Sequence, residues 1–255
     1  MPAPIPLLDI RAWVVWGRDH VEAATLAKVG IAAAAIYSFF AIAGEVMEGE
    51  THGFDSYLLL ALRNAADPAQ PLGPTWMQEV LRDFTALGGN AVLTLITLAV
   101  AGFLWMQGNR RSMLLVLAAI LGGFAMTSLL KLGFDRPRPD LVPHSMTTYT
   151  ASFPSGHAML SAIVYLTLAV LVARVQTRRS IKIYLLTTAS LLTVIIGVSR
   201  VYLGVHWPTD VIAGWAAGAA WALLWWTIAS WLERSGVVEK EITTEPKSVV
   251  GSPAS

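Results

Sequence analysis

Six runs of apolar residues, at about 29–47, 89–107, 112–132, 157–174, 183–203 and 209–232, divide the chain into segments of membrane-spanning length. An α-helix rises about 1.5 Å per residue, so roughly 20 residues cross the roughly 30 Å of bilayer hydrocarbon. The run at 157–174 is the shortest, and its ends are expected in the headgroup region. Between the first two runs, residues 48–88 hold two shorter apolar-rich stretches, 54–64 and 75–87, separated by Asp67, Pro68, Pro71, Gly73 and Pro74. Neither stretch can span. Both read as interfacial helices that roof a site or guide a lipid toward it, or else as a plain connector.

The two ends of the chain differ from this pattern. Residues 1–28 scatter Arg11, Arg18, Asp19, Glu22 and Lys28 among Trp13, Val14, Val15 and Trp16, which leaves no uninterrupted apolar core. This is a surface-lying amphipathic helix by pattern, not a cleavable signal peptide. Residues 236–255 are polar, contain Pro246 and Pro253, and read as a disordered tail. The expected fold is therefore all-α: a polytopic six-transmembrane-helix bundle in one domain, 29–235, between an N-terminal segment and a tail.

Composition agrees with a membrane protein. Of 255 residues 55% are hydrophobic and 14% charged, with a mean hydropathy of +0.57, well above that of a soluble domain of this size. With no cysteine, disulfides, zinc–thiolate sites and thiol catalysis are excluded. A formal net charge of +1 and the lack of a basic tract give no reason to expect nucleic acid, and no sequence feature names a protein partner.

Where the charges fall predicts orientation. Twelve of the Lys and Arg residues lie in the N-terminal segment, the 107–112 turn, the 174–182 loop and the tail; six lie on the opposite side, three of them at the fixed positions of the motifs below. By the positive-inside rule both termini are expected in the cytoplasm. The remaining connections then face outward.

Three polar islands interrupt the apolar sequence, and all three fall on that outward side. They are Lys131-Leu-Gly-Phe-Asp-Arg-Pro-Arg138-Pro139, Ser152-Phe-Pro-Ser155-Gly156-His157, and Ser199-Arg200-Val-Tyr-Leu-Gly-Val-His206-Trp-Pro-Thr-Asp210. Ionisable residues at the edge of a span are costly and mark a site by default. Lys131, Arg138 and Arg200 are cations with no matching cluster of acids, which suits an anion with several oxygens, such as phosphate. Ser155 and Gly156 precede the fourth run, so backbone N–H groups at a helix start can face the same anion. If Pro208 opens a helix, His206 and Asp210 share a face; the carboxylate then holds one imidazole nitrogen and leaves the other free.

The ordered triple Lys-x6-Arg-Pro, Pro-Ser-Gly-His and Ser-Arg-x5-His-x3-Asp resembles the signature of the type 2 phosphatidic acid phosphatase superfamily, which includes glucose-6-phosphatase and the vanadium haloperoxidases. The resemblance covers about residues 85–230. It implies that His206 attacks phosphorus to form a phosphohistidine, that Asp210 orients and charge-stabilises His206, and that His157 protonates the leaving oxygen and later activates water. It implies Lys131, Arg138, Ser155, Gly156 and Arg200 as the phosphate-binding set, with no metal and no cofactor. The implied activity is hydrolysis of a phosphomonoester or diphosphate on a membrane lipid. Undecaprenyl diphosphate is favoured, because an outward-facing site suits it; phosphatidylglycerophosphate, phosphatidic acid and lipid A phosphates are the alternatives.

Other readings stay open beside this one. A lipid phosphotransferase shares the first half-reaction, a non-catalytic lipid transporter would not need His206, and a haloperoxidase is opposed by the six spans. Asp135 and Arg136 occupy variable positions of the first motif and are left out of the site, with a headgroup contact open to Arg136. His20, His52 and His144 read as solvated, the tryptophans as interface anchors or lipid-facing bulk, and Gly214-x3-Gly218 as a close helix-packing face.

Overall fold

The computed structural model describes residues 23–142, 150–174 and 176–234. Nine α-helical segments account for most of them. The expectations for residues 1–22, for His20 and His144, and for the tail 236–255 lie outside the described residues. Residues 23–28 belong to the first helix, α1 (Ala23–Glu48), so that helix starts earlier than the apolar run at 29.

After α1 come α2 (His52–Ala61), a two-stranded antiparallel hairpin of β1 (Arg63–Asn64) and β2 (Asp67–Pro71), and α3 (Thr75–Ala86). Two long helices follow, α4 (Asn90–Met106) and α5 (Arg110–Gly133). Then α6 (Gly156–Ser161), a π turn (Ala162–Leu166) and α7 (Thr167–Arg174) run on as one span, before α8 (Arg179–Tyr202) and α9 (Pro208–Arg234). Five helical segments are long and apolar enough to cross a membrane. There are six if α3 and α4, bent 49° from each other, form one broken span. The chain is a multi-pass membrane protein. Leu26, Ile36, Leu95, Leu121, Leu129, Tyr184 and Leu191 are exposed side chains on these spans, where lipid takes the place of water.

The span from Gly156 is the centre of the bundle. Of its apolar window 72% is buried, against 11% for α1. Met159, Ile163 and Val164 have no exposure, and they pack with Leu93 of α4, Ile120 of α5 and Ala213 of α9. Lipid tails are as apolar as leucine, so close approach drives this packing. At Gly218 an added Cβ would stand 2.4 Å from Ala162 Cβ, and at Gly214 3.0 Å from Ser155 O, so the Gly214-x3-Gly218 face is the surface on which α9 meets the central span.

The hairpin replaces the end of the expected 54–64 helix. Asn64 Oδ1 and Asp67 Oδ1 accept the backbone N–H groups of Ala66 and Ala69 at 3.0 Å, local contacts that compete with helix. They turn the chain so that the buried Arg63 donates to Tyr202 O at 2.9 Å, capping the end of α8. That end is a Schellman motif: Gly204 has φ of +73°, its N–H reaches Val201 O, and Val205 N–H reaches Arg200 O. Only the left-handed glycine lets the chain leave α8 so abruptly. Three residues later Trp207 and Pro208 open α9, proline at the first helical position where its missing N–H costs nothing. The segment 203–207 is thus held between two helix ends.

Candidate active site

Each expected site residue is placed by one of these helix ends. Lys131 lies in the last turn of α5 and donates to Ala151 O at 3.1 Å. Beyond α5, Arg138 follows in the connection that leads to the start of α6. Ser155 precedes Gly156 at that start; His157 lies in its first turn, Arg200 in the last turn of α8, His206 between α8 and α9, and Asp210 in the first turn of α9. All eight come together at one end of the bundle. A Cβ on Gly156 would meet Lys131 Cε at 3.2 Å, Ser155 N–H donates to Asp210 O at 3.0 Å, and Arg200, His206, Lys131 and Arg138 all act electrostatically on His157.

The geometry of His206 decides its tautomer. Arg138 Nη1 stands 3.2 Å from His206 Nε2 and 2.7 Å from Val205 O, and a guanidinium only donates. Nε2 is therefore an acceptor with its lone pair directed at Arg138, and the ring proton sits on Nδ1, which faces Asp210 Oδ2 at 3.4 Å. Burial at 2% exposure pushes the His206 pKa down to about 4, with Arg200 and Arg138 adding to burial and the Asp210 contact opposing it. The imidazole is neutral at neutral pH. Burial also lowers the Arg138 pKa, against the pull of Asp210.

Asp210 is held by more than its histidine. It accepts Trp207 N–H at 3.0 Å, as a third-position carboxylate does in a capping box, together with a very short bond from Ser152 Oγ. Its other oxygen accepts Arg136 Nη1 at 2.6 Å. Arg136 is the correction here. Set aside as a variable position able to reach a headgroup, it instead turns inward with 11% side-chain exposure, donating also to Thr209 Oγ1, Thr51 Oγ1 and Asp55 Oδ2. Asp55, from α2, accepts Thr209 N–H and Thr209 Oγ1 in turn. The available signal was an acid inside the apolar run Phe54–Leu60 and an arginine just past a span, each wanting a partner.

The opposite wall is less committed. Ser155 Oγ is buried and has no hydrogen-bond partner among the described residues, although the backbone φ and ψ place Ser155 as the cap of α6. Arg200, 2% exposed, donates to Thr85 Oγ1 of α3 at 3.0 Å, so α3 reaches the site. His52, read as solvated, is exposed but has its ring centroid 5.5 Å from that of Trp207. Among the described residues no cluster of three or more His, Cys, Asp or Glu is placed to hold a metal. What the arrangement offers chemically is a neutral imidazole lone pair amid three cations, with a second imidazole nearby.

The profile of the PAP2 superfamily matches residues 111–234. Phosphatidylglycerophosphatase B of Bacillus subtilis is 33% identical over 148 residues, covering 56% of this chain and 70% of that protein. Undecaprenyl-diphosphatase of Sulfolobus acidocaldarius is 35% identical over 107 residues, 41% of this chain and 46% of that one. Among solved structures, a transmembrane PAP2-type phosphatidylglycerolphosphate phosphatase from Bacillus subtilis superposes with a TM-score of 0.65 at 25% identity, over 81% of this chain and 98% of its own. Aquifex aeolicus LpxE, at 22% identity and a TM-score of 0.51, shares the fold over 68% of this chain and 95% of its own.

Proposed function

The chain belongs to the PAP2 superfamily, and on that premise we propose that it hydrolyses a lipid phosphate through a phosphohistidine on His206. The observation that carries this is the His206 Nε2 lone pair facing Arg138 while Nδ1 faces Asp210. In the first step Nε2 attacks phosphorus, the bond from phosphorus to the lipid oxygen breaks, and that oxygen leaves with the electron pair and a proton from His157. In the second, His157 takes a proton from water, the hydroxide attacks phosphorus, and the P–N bond breaks to return Nε2 its lone pair and release phosphate. Lys131, Arg138, Arg200 and the N–H groups at the start of α6, with Ser155 and Gly156, bind the non-bridging oxygens and stabilise their charge. The residues act without a metal in this scheme.

Phosphatidylglycerophosphate is the substrate placed first. The match to phosphatidylglycerophosphatase B extends over 70% of that relative, whereas the match to undecaprenyl-diphosphatase covers 46%. Undecaprenyl diphosphate is second, supported by the charge distribution, which argues for cytoplasmic termini and a periplasmic site in a bacterial inner membrane.

The test is phosphate release by detergent-purified protein in EDTA, from phosphatidylglycerophosphate, undecaprenyl diphosphate and phosphatidic acid, with His206→Ala as control. Release that survives chelation and falls by about 10⁴-fold or more in the variant is expected. Loss of activity in EDTA sinks the metal-free scheme. A requirement for a lipid acceptor in place of water makes the protein a phosphotransferase, and retained function in His206→Ala makes it a lipid carrier.

A further inference from the structure

We infer that Arg136 and Asp55 form a clamp that sets the position of the Asp210 carboxylate and the net charge of the buried group it belongs to, so that α2 is part of the catalytic apparatus. Arg136 and Asp55 are positioning residues in this role, and the inference rests on His206 being the nucleophile.

The clamp has a definite geometry. Arg136 spreads its two terminal nitrogens over two fully buried carboxylates, Asp210 Oδ1 and Asp55 Oδ2, each at 2.6 Å. Thr51 Oγ1 and Thr209 Oγ1 take the remaining Arg136 contacts at 2.9 Å. Asp55 reaches past Arg136 to the backbone of α9, accepting Thr209 N–H at 2.9 Å and Thr209 Oγ1 at 2.7 Å. Thr209 adjoins Asp210, so both the carboxylate and its backbone are fixed from α2. With Oδ1 taken by Arg136, the Oδ2 atom is left for Ser152, Trp207 N–H and His206 Nδ1.

The charges give the clamp a purpose beyond holding. When phosphorus bonds to Nε2 while the proton stays on Nδ1, the His206 ring becomes cationic. Arg138 and Arg200 act on that ring electrostatically, as does His157 when it is charged, and all three disfavour a positive charge on it. One net negative charge beside it is what the step needs. Arg136 alone would cancel Asp210. Arg136 shared with Asp55 leaves one negative charge in the group and meets one oxygen of each buried carboxylate, the other oxygens being met by Thr209 N–H and by Ser152, His206 and Trp207.

This predicts a pattern that ordinary structural damage does not give. Arg136→Gln leaves two buried carboxylates facing each other; Asp55→Asn leaves Asp210 fully neutralised; the double variant Asp55→Asn/Arg136→Gln restores one net negative charge. The measurement is kcat and KM per folded molecule for phosphatidylglycerophosphate, with folding checked by detergent size exclusion and thermal melting. We expect kcat to fall on the order of 10²-fold in each single variant with KM within about threefold, and to be higher in the double variant than in either single. Single variants within about threefold of the parent, or a double variant slower than both, overturn the inference. If neither single variant folds, Arg136→Lys decides, because lysine keeps the charge but cannot bridge both carboxylates. A loss of about tenfold or more in its kcat at parental KM supports the clamp, and parental kcat overturns it. An active His206→Ala sinks the nucleophile reading itself; an inactive one beside parental Arg136 and Asp55 variants sinks the clamp alone.

Discussion

The two histidines of the site sit in opposite surroundings. His206 is almost wholly buried, with Arg138 on one ring nitrogen and Asp210 on the other, and with Ser152, Trp207, Arg136 and Asp55 behind the carboxylate. His157 is only partly buried, and its ring makes no hydrogen bond among the described residues. It faces the bend between α3 and α4, where a Cβ on Gly88 would meet its Cδ2 at 3.3 Å and one on Gly89 its Nε2 at 4.0 Å. The difference suits the division of labour proposed above. A nucleophile needs one tautomer with its lone pair unprotonated before substrate arrives, so its partners belong to the protein. An acid that meets the leaving oxygen has its partner on the substrate, and a protein partner would have to be displaced.

The hardest blow to this comparison would come from His157→Ala. If His157 protonates the leaving oxygen, its loss should slow release of a lipid alkoxide by about 10²–10⁴-fold. It should barely change the initial burst of nitrophenolate from nitrophenyl phosphate, whose leaving group needs no proton. The burst is the proper readout, since turnover of the intermediate also uses His157. Equal losses on both substrates would mean that the two histidines do not divide the work.

Arg200→Lys tests the ground between the two rings, because Arg200 acts electrostatically on both. Its guanidinium is 2% exposed and reaches Thr85 on α3. Lysine keeps the charge and loses the second donor direction, a change of about 1.5–3 kcal/mol if a charge-assisted contact to phosphate goes with it. We expect kcat/KM for phosphatidylglycerophosphate to drop about 10–100-fold. Parental kcat/KM would remove Arg200 from the phosphate site and leave it as a tie to α3.

How much of this contrast could be read from sequence depends on the range of the contacts. The spans were legible because a bilayer demands long apolar runs, and the six runs correspond to α1, α4, α5, the α6–α7 segment, α8 and α9. That the eight motif residues come together was legible because each island has a fixed internal spacing around a helix end. Arg136 was not, since its role depends on Asp55, 81 positions away, on a helix that sequence could place only as a roof or a connector. Nor could the 63–71 hairpin be foreseen: two side-chain contacts at Asn64 and Asp67 and the burial of Arg63 overrode a weak helical pattern. Chain order reveals a motif whose members share one helix end. It hides a partner that the fold brings from another element.

The smallest expected effect is also the most specific to the prewired ring. An ordinary histidine, with a pKa near 6.5, would be about 76% neutral at pH 7 and about 9% at pH 5.5, so a reaction needing the neutral form would slow about eightfold. His206, with its pKa lowered to about 4, keeps its lone pair over that whole interval. The sign is set by burial and by Arg138 and Arg200, which disfavour the cation more than Asp210 favours it. The burst of nitrophenolate from nitrophenyl phosphate in the His157→Ala variant isolates this ring, because the other imidazole is gone and the electron-withdrawing ester lowers the second ionisation of the substrate. Its rate should change less than about twofold between pH 7 and 5.5 and decline only toward pH 4. An eightfold fall across the upper interval would show that His206 titrates as a solvated histidine does, and that the protein does not hold the nucleophile neutral in advance.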